Sequence, residues 1–509
     1  MKKLIALFVA AAAIVVWQWN DKDAVTVNTD EPLVVVTPWE ITSTDPSKSG
    51  YIFQRLQLAE TLVDADEEGR LQPALAERWV PNERFDQWLF YLRPDVKFHD
   101  GSLLRAEDVV FSLRQALIKP TPLKNAHIRD IQALDEHTVR ISLAQPLVSF
   151  PAFLTHSTTL ILARSAFDEQ GNVVKFIATG AYQADKIEPP QKIEQHAFAD
   201  YWGEKANIRR VNYLANSRSE TRTLLAQSNM NYLVFNLDPA SLSRLKADSD
   251  LNVQSKSIAR TIQYKVNAAH PLFADVKVRR ILSDAIDREG LVHAVLRMDH
   301  GEAETLLPES FSDWYLKVAS VKPQYSELKK GLIALGYEDK DGMLYKDGKP
   351  FKFVLRTFSD RPELPVIATA LQNQWKQLGI DVVVSIGNFS EIPAGHQDGS
   401  LEMALYARHY GMVPDPIGVL LQDFVPQGSD WGVMNWSNQE LTEALSQLQH
   451  TAEPERQYAL KQKITGIIYA ERPITPVIFY QQNAVAHKAL KGLRLDPFER
   501  NFHLNKLSW

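Results

Sequence analysis

Between Phe351 and Ile386 the chain spells out a strand, a helix and a second strand in close order. Phe351 to Leu355 is a short run rich in apolar residues. Ile367, Leu371, Trp375 and Leu378 follow on one face at helical spacing, and Gly379 stands where a helix end needs a residue with positive φ. Ile380 to Ile386 reads as the second strand. A helix of this length carries the chain back over the sheet, so the two strands lie parallel and the crossover is right-handed. Parallel strands need helices covering their faces. The fold class is therefore α/β, with ligands expected beyond the carboxyl ends of the strands.

Other elements fit that class. Leu33 to Thr37, ending at Pro38, reads as a first strand, and Phe53 to Val63 as a helix after turn signals at Asp45-Pro46 and Ser49-Gly50. Trp88, Phe90 and Leu92 alternate, as a half-buried strand requires. Ala106, Val109, Val110, Leu113, Ala116 and Leu117 mark an amphipathic helix, and Val139 to Leu143 another strand. Val278, Ile281, Leu282, Ala285 and Ile286 mark a further helix, and Glu402 to Tyr406 a third strand of the second half. Pro476 to Tyr480 and Asn483 to Ala486 read as two short strands.

A length of 509 residues suggests about three domains. Net charge is −6, with no basic excess, so no nucleic-acid partner is expected. There is no cysteine. That removes disulfides, thiolate metal sites, a cysteine nucleophile and lipid attachment through cysteine. Met1-Lys2-Lys3 followed by the apolar run Leu4 to Trp17 has the pattern of an export signal, too short for an ordinary membrane span. No A-x-A site precedes the polar segment, so cleavage and retention as a tether both stay open.

No G-x-S-x-G, H-E-x-x-H, G-x-x-x-x-G-K-[ST] or G-x-G-x-x-G occurs. His293 and His300, with Asp299, are spaced too widely for a helical metal site, and Asp64, Asp66, Glu67 and Glu68 read as a solvated turn. The sequence nominates no nucleophile or base, though these absences do not by themselves exclude catalysis.

Three blocks then stand out: Leu75 to Trp79, Trp88 to Gly101, and Ala106 to Leu113. Together with Thr179-Gly180-Ala181-Tyr182, Tyr201 to Lys205, Val278 to Arg288 and Trp375 to Val382, they resemble the extracellular solute-binding family 5, the peptide/nickel class serving ABC importers. The resemblance implies a two-lobed type II periplasmic-binding-protein fold with an extra domain in the first lobe. By analogy, residues 1–24 form the signal peptide or anchor. The first lobe takes 30–50, 176–262 and 479–509, the extra domain 51–175, and the second lobe 263–478. His99-Asp100-Gly101 reads as a turn, and Asp287-Arg288 as a helix-end ion pair.

The resemblance also implies a site. Ala407 to Gly411 resembles the family's ligand loop, followed by Asp415-Pro416, so Arg408, His409 and Tyr410 are the first candidates. Arg408 would pair a carboxylate bidentately, Tyr410 would stack or hydrogen-bond, and His409 would ligate a metal or bond an anion. Trp39, Glu40, Tyr51, Trp431 and Trp436 are further candidates as cleft-facing acid and aromatics. Two departures matter. Met412 stands where peptide-binding members carry an aspartate for the α-ammonium, so such a peptide would need another acid, such as Glu40. His156-Ser157 falls where the nickel branch carries an arginine.

The expected function, implied by the resemblance, is that of an extracytoplasmic receptor and not an enzyme, delivering a small solute to an ABC permease in the inner membrane. The lead solute is a nickel or other metal–chelator complex, with a di- or oligopeptide as the alternative. The expected protein is a periplasmic monomer without a cofactor, its metal ligands unassigned, tethered if the N-terminal run is retained. An exported hydrolase, or a tethered sensor on the same scaffold, are the readings from other classes.

Overall fold

The computed structural model describes residues 31–509 apart from Val321, Asp360, Pro362, Val425, Gln427 and Gly428. The N-terminal segment lies outside the described residues.

The crossover unit is where the sequence puts it. Strand Lys352–Phe358 and strand Asp381–Gly387 pair in parallel, Phe353 opposite Val382. Helix Glu363–Lys376 between them buries Leu364, Ile367, Ala368, Leu371 and Trp375. Gly379 turns the chain at φ +85, and its carbonyl accepts from the Leu344 amide at 2.8 Å.

These strands belong to one ten-stranded mixed sheet. In chain order its members are β1 (Leu33–Thr37), β2 (Tyr182–Glu188), β3 (Lys192–Ala197), β4 (Arg210–Ala215) and β5 (Tyr232–Phe235). Then come β6 (Leu251–Val266), β7 (Lys352–Phe358), β8 (Asp381–Gly387), β9 (Met403–His409) and β10 (Ile474–His487). Across the sheet the order is β8-β7-β9-β6-β10-β5-β1-β4-β3-β2.

The two long strands β6 and β10 tie two lobes together. Leu251–Ser257 pairs antiparallel with Gln481–His487, beside β5 in the first lobe. Thr261–Lys265 pairs with Ile474–Phe479, and the second half of β6 also pairs with β9 in the second lobe. The register breaks between Ser257 and Thr261. The loss of ladder pairing there is what permits a sheet to bend.

Each lobe has its own buried core. Ile262, Tyr264, Phe353, Leu371, Trp375, Met403 and Val477 belong to one. Leu33, Phe53, Leu162, Tyr213, Leu233, Ala486 and Phe502 belong to another. A third core, drawn from Leu62 to Ala163, lies between a four-stranded antiparallel sheet and helix Ala106–Ile118. Trp88, Phe90 and Leu92 face inward there, as their alternation requires.

Four local readings need correction. The helix expected at Phe53–Val63 is instead Pro46–Arg55. Asp45 is its N-cap, accepting from the Ser47 amide at 2.9 Å, and Pro46 occupies the first turn, where a missing N–H costs nothing. Gly50 lies inside this helix because a Cβ there would sit 2.4 Å from the Ser157 carbonyl oxygen. The two short strands near the end are one strand, β10, continuing through Gln481 and Gln482. β6 has no counterpart among the strands expected from the sequence. Finally, Asp287 does not pair with Arg288. Asp287 caps the Gly290 amide at 2.9 Å, while Arg288 binds the carbonyls of Ala303 and Pro476 and lies 3.4 Å from Glu304. His99-Asp100-Gly101 is the expected turn, with Gly101 at φ +85 and Asp100 accepting from Ser102.

Asp45→Ala should lower stability by about 1 kcal/mol in a urea melt, and Asp45→Asn, which keeps the cap acceptor, should recover most of it. No measurable loss would show that the helix is held from elsewhere.

Candidate functional site

A cavity of about 380 Å³ opens between the lobes. Trp39, just after β1, and Tyr51 and Arg55, one turn apart on helix Pro46–Arg55, line its first-lobe side. His409, Met412 and Arg361 line the second-lobe side, and Tyr480 of β10 stands between. Arg260 and His409 are cross-strand partners of β6 and β9, so their side chains leave the sheet on one face.

Glu499 organises the cavity. Its side chain is 4% exposed. Arg55 Nη2 approaches one carboxylate oxygen at 3.5 Å, and Arg260 Nη2 (3.5 Å) and His409 Nε2 (3.6 Å) approach the other. Arg55 Nε also donates to the Glu499 carbonyl, and its guanidinium stacks 4.2 Å over Trp39 and 5.3 Å over Tyr51. Burial alone would raise the Glu499 pKa. Arg260, the His409 N–H facing it and Arg55 outweigh burial and hold the carboxyl well below the usual range. Glu499 also has φ +56, a conformation disfavoured for a residue with a side chain and found preferentially at functional sites.

Two histidines line the cavity, both kept neutral. Burial pulls His156 down to about 4, with His409 adding to the effect. Burial also lowers His409, against the pull of Glu499. The Gly411 amide donates to His409 Nδ1 at 3.1 Å, and the Thr158 amide donates to His156 Nδ1 at 3.2 Å. An amide N–H can only donate, so each Nδ1 is the acceptor and each neutral ring carries its proton on Nε2. Both imidazoles therefore present N–H groups, not lone pairs. Among the described residues, no group of three or more histidines, cysteines or carboxylates is placed to hold a metal ion. Arg361 completes the basic wall, with Nη1 3.4 Å from the Tyr480 hydroxyl, which itself donates to Glu363 at 2.6 Å. The arrangement suits oxyanions: the guanidiniums of Arg55, Arg260 and Arg361 and two imidazole N–H groups share the cavity with one carboxylate, while the fourth lining arginine, Arg500, is bound to Asp64 and the Ala65 carbonyl.

Of the residues nominated from sequence, Trp39, Tyr51 and His409 line this cavity. The other five do not. Arg408 precedes His409 on a strand and so points to the opposite side. It forks onto Asp423, Nε to Oδ2 at 2.7 Å and Nη2 to Oδ1 at 2.8 Å. Tyr410 is fully buried, its hydroxyl donating to Gln263 at 3.0 Å. Glu40 is exposed, outside the lining. Trp431 packs on Phe358 and Tyr406, and its carbonyl accepts from the Tyr406 hydroxyl at 2.6 Å. Trp436 packs against the core that holds Leu420 and Leu445. In Arg408, Tyr410, Trp431 and Trp436, satisfying a buried partner or apolar core takes the side chain away from the cleft. His156, Ser157 and Met412, noted only as departures, do line the cavity.

Arg55, Arg260, Arg361, Tyr480 and Glu499 were not singled out. Arg55 carried a signal, because it lies at i+4 from the nominated Tyr51. Arg55 and Glu499 are 444 positions apart, and no local pattern joins them. The Tyr201-Trp202 block serves the scaffold instead. Tyr201 and Trp202 donate to the two oxygens of Glu60 at 2.8 and 3.0 Å, and burial raises that carboxyl to about 7.

Residues 70–431 match the family model described as "Bacterial extracellular solute-binding proteins, family 5 Middle". The Periplasmic oligopeptide-binding protein OppA of Salmonella typhimurium is 28% identical over 380 residues, covering 67% of this chain and 68% of that one. The Nickel-binding protein NikA of Staphylococcus aureus is 22% identical over 449 residues, covering 87% of each. Among solved structures, the nickel ABC transporter protein of Bacillus halodurans superposes with a TM-score of 0.83 at 23% identity, covering 94% of this chain and 99% of that one.

Proposed function

The chain belongs to the bacterial extracellular solute-binding proteins, family 5, and from that premise we propose that it captures a carboxylate-bearing anion between its lobes and delivers it to an ABC permease. Members of this family are extracytoplasmic receptors of ABC importers, not enzymes. No helix among the described residues is long and apolar enough to cross a membrane. The segment Leu4 to Trp17 is read as the export signal, and the lobe and extra-domain limits are those given by resemblance.

The lead solute is a nickel or other metal ion carried on a small organic chelator. One observation carries this reading: the cavity offers Arg55, Arg260, Arg361 and two imidazole N–H groups against the single carboxylate of Glu499. Such a wall binds the chelator's oxygens and leaves the metal to the chelator. A second reading, a short peptide, rests on Glu499 itself. It is the ionised acid in the cavity that Met412 does not supply, and it would take an α-ammonium while an arginine takes the carboxylate.

Binding would close the lobes around the solute and stabilise the closed form. At a hundred times Kd the solute adds about 2.7 kcal/mol of stability. Fe(III)–EDTA or Ni(II)–citrate should raise Tm, whereas Ni(II) alone should not. In the peptide reading a tripeptide replaces them. Arg260→Ala should weaken the responding solute about 10- to 100-fold in calorimetric titration, as loss of a charge-assisted hydrogen bond does. A Tm rise with aquated Ni(II) equal to that with its complexes would overturn the anion reading.

A further inference from the structure

A second, larger cavity lies in the cleft, away from Glu499 and its partners Arg55 and Arg260. It occupies about 560 Å³ beside the basic chamber, a volume typical of small-molecule sites. Leu237, Leu242, Leu296, Met298, Ile478 and Phe479 supply its apolar wall. The two spaces share Asn236, Arg361 and Tyr480, so they adjoin at that point. Of its polar lining, Ser219 donates to Asp238 at 2.8 Å, Tyr480 donates to Glu363, and Arg222 donates to the carbonyls of Asn216 and Asn236, while Arg297 also borders the space. Its rim spans both lobes. Lys246, at the end of helix Pro239–Leu245, pairs with Asp299 of the second lobe, and the Gln481 amide donates to the His300 carbonyl.

We infer that the solute is an amphiphilic organic anion, its carboxylates held at Arg55 and Arg260 and an apolar arm passing Arg361 and Tyr480 into the second chamber. This rests on the anion reading of the basic chamber and adds to it a demand on the rest of the molecule. A small chelate or carboxylate without an arm fills the first chamber only, leaving apolar wall in contact with water. An arm removes that wall from water and adds affinity in proportion to the area covered. The Lys246–Asp299 pair spans the lobes beside the chamber that the arm fills, so the arm adds contacts to both lobes in the closed state.

The test is calorimetric titration of the full chain with N-acetyl-, N-hexanoyl- and N-decanoyl-glutamate, which share one dicarboxylate head. Affinity should rise by up to about fourfold per methylene, so that the decanoyl compound binds at least about 100-fold tighter than the acetyl one. Leu242→Glu and Met298→Glu, each checked for an unchanged melting transition, should lose most of that gain and keep the acetyl affinity within about threefold. Arg260→Ala should weaken all three compounds alike. Binding of the acetyl compound with no dependence on chain length overturns the inference and leaves the anion reading standing. A gain that persists in both chamber variants also overturns it. Failure of all three compounds to bind overturns both.

Discussion

Glu499→Ala is expected to lower the unfolding free energy by about 3–5 kcal/mol in denaturant titration. The size follows from where the charge sits. Glu499 is nearly fully buried and faces Arg55 and Arg260, whose side chains are 9% and 22% exposed. Removing the carboxylate leaves both guanidiniums in a poorly solvated cavity without a counter-charge, which costs more than the net worth of the pairs themselves. Arg55 would keep its bond to the residue-499 carbonyl and its stacking on Trp39 and Tyr51, but lose its counter-charge. A loss below about 1 kcal/mol would show that the lobes are held without this network. The pH dependence has a definite sign. The folded carboxyl titrates below its unfolded value of roughly 4.3, so its contribution is complete above that value and disappears as pH falls through it toward the folded pKa. The Tm difference between wild type and Glu499→Ala should therefore be constant above about pH 5 and shrink on further acidification. A difference that instead grows toward low pH would contradict the assignment of Glu499 as the ionised partner.

Arg408→Met should cost a similar 3–5 kcal/mol while leaving solute affinity within about threefold of wild type. Asp423 is fully buried and accepts both nitrogens of the Arg408 fork as well as the Ser429 hydroxyl. Without the arginine its charge keeps the Ser429 hydroxyl and the nearby Lys265, but no forked donor. The double variant Arg408→Met with Asp423→Leu should regain most of the loss, because a buried ion pair replaced by apolar groups of similar volume is often neutral. Stability by urea titration and affinity by calorimetry separate the two roles open to Arg408. A large affinity loss with little loss of stability would return Arg408 to the binding site, where its sequence position first placed it.

The elements that pack against a single core were legible in the sequence. β7, the helix after it and β8 show clean periodicity, because every second or every third-to-fourth residue meets one apolar layer. Trp88, Phe90 and Leu92 show the same against the third core. The misread elements are those that serve two surroundings. β6 and β10 pass from one lobe to the other, so Gln254, Lys256, Gln481 and Gln482 interrupt any single-face pattern. Gln482, 2% exposed in mid-strand, looks like a break between strands only when its partner Lys256 is unknown. The helix at Pro46–Arg55 was displaced because Asp-Pro serves both turns and helix starts.

The sequence by itself determined the α/β class, the parallel crossover, the family and the loop that borders the cleft. These rest on local periodicity and contiguous blocks, which survive without knowledge of neighbours. Which side chains line the cavity is settled only by the folded chain. Within Arg408-His409-Tyr410, strand alternation and buried partners send one residue to the cleft and two to the interior. The carboxylate at the centre of the cleft, Glu499, meets Arg55 and Arg260 from opposite ends of the chain. Charge pairing acts through space over a few ångströms, and a linear sequence carries no record of which distant charges come that close.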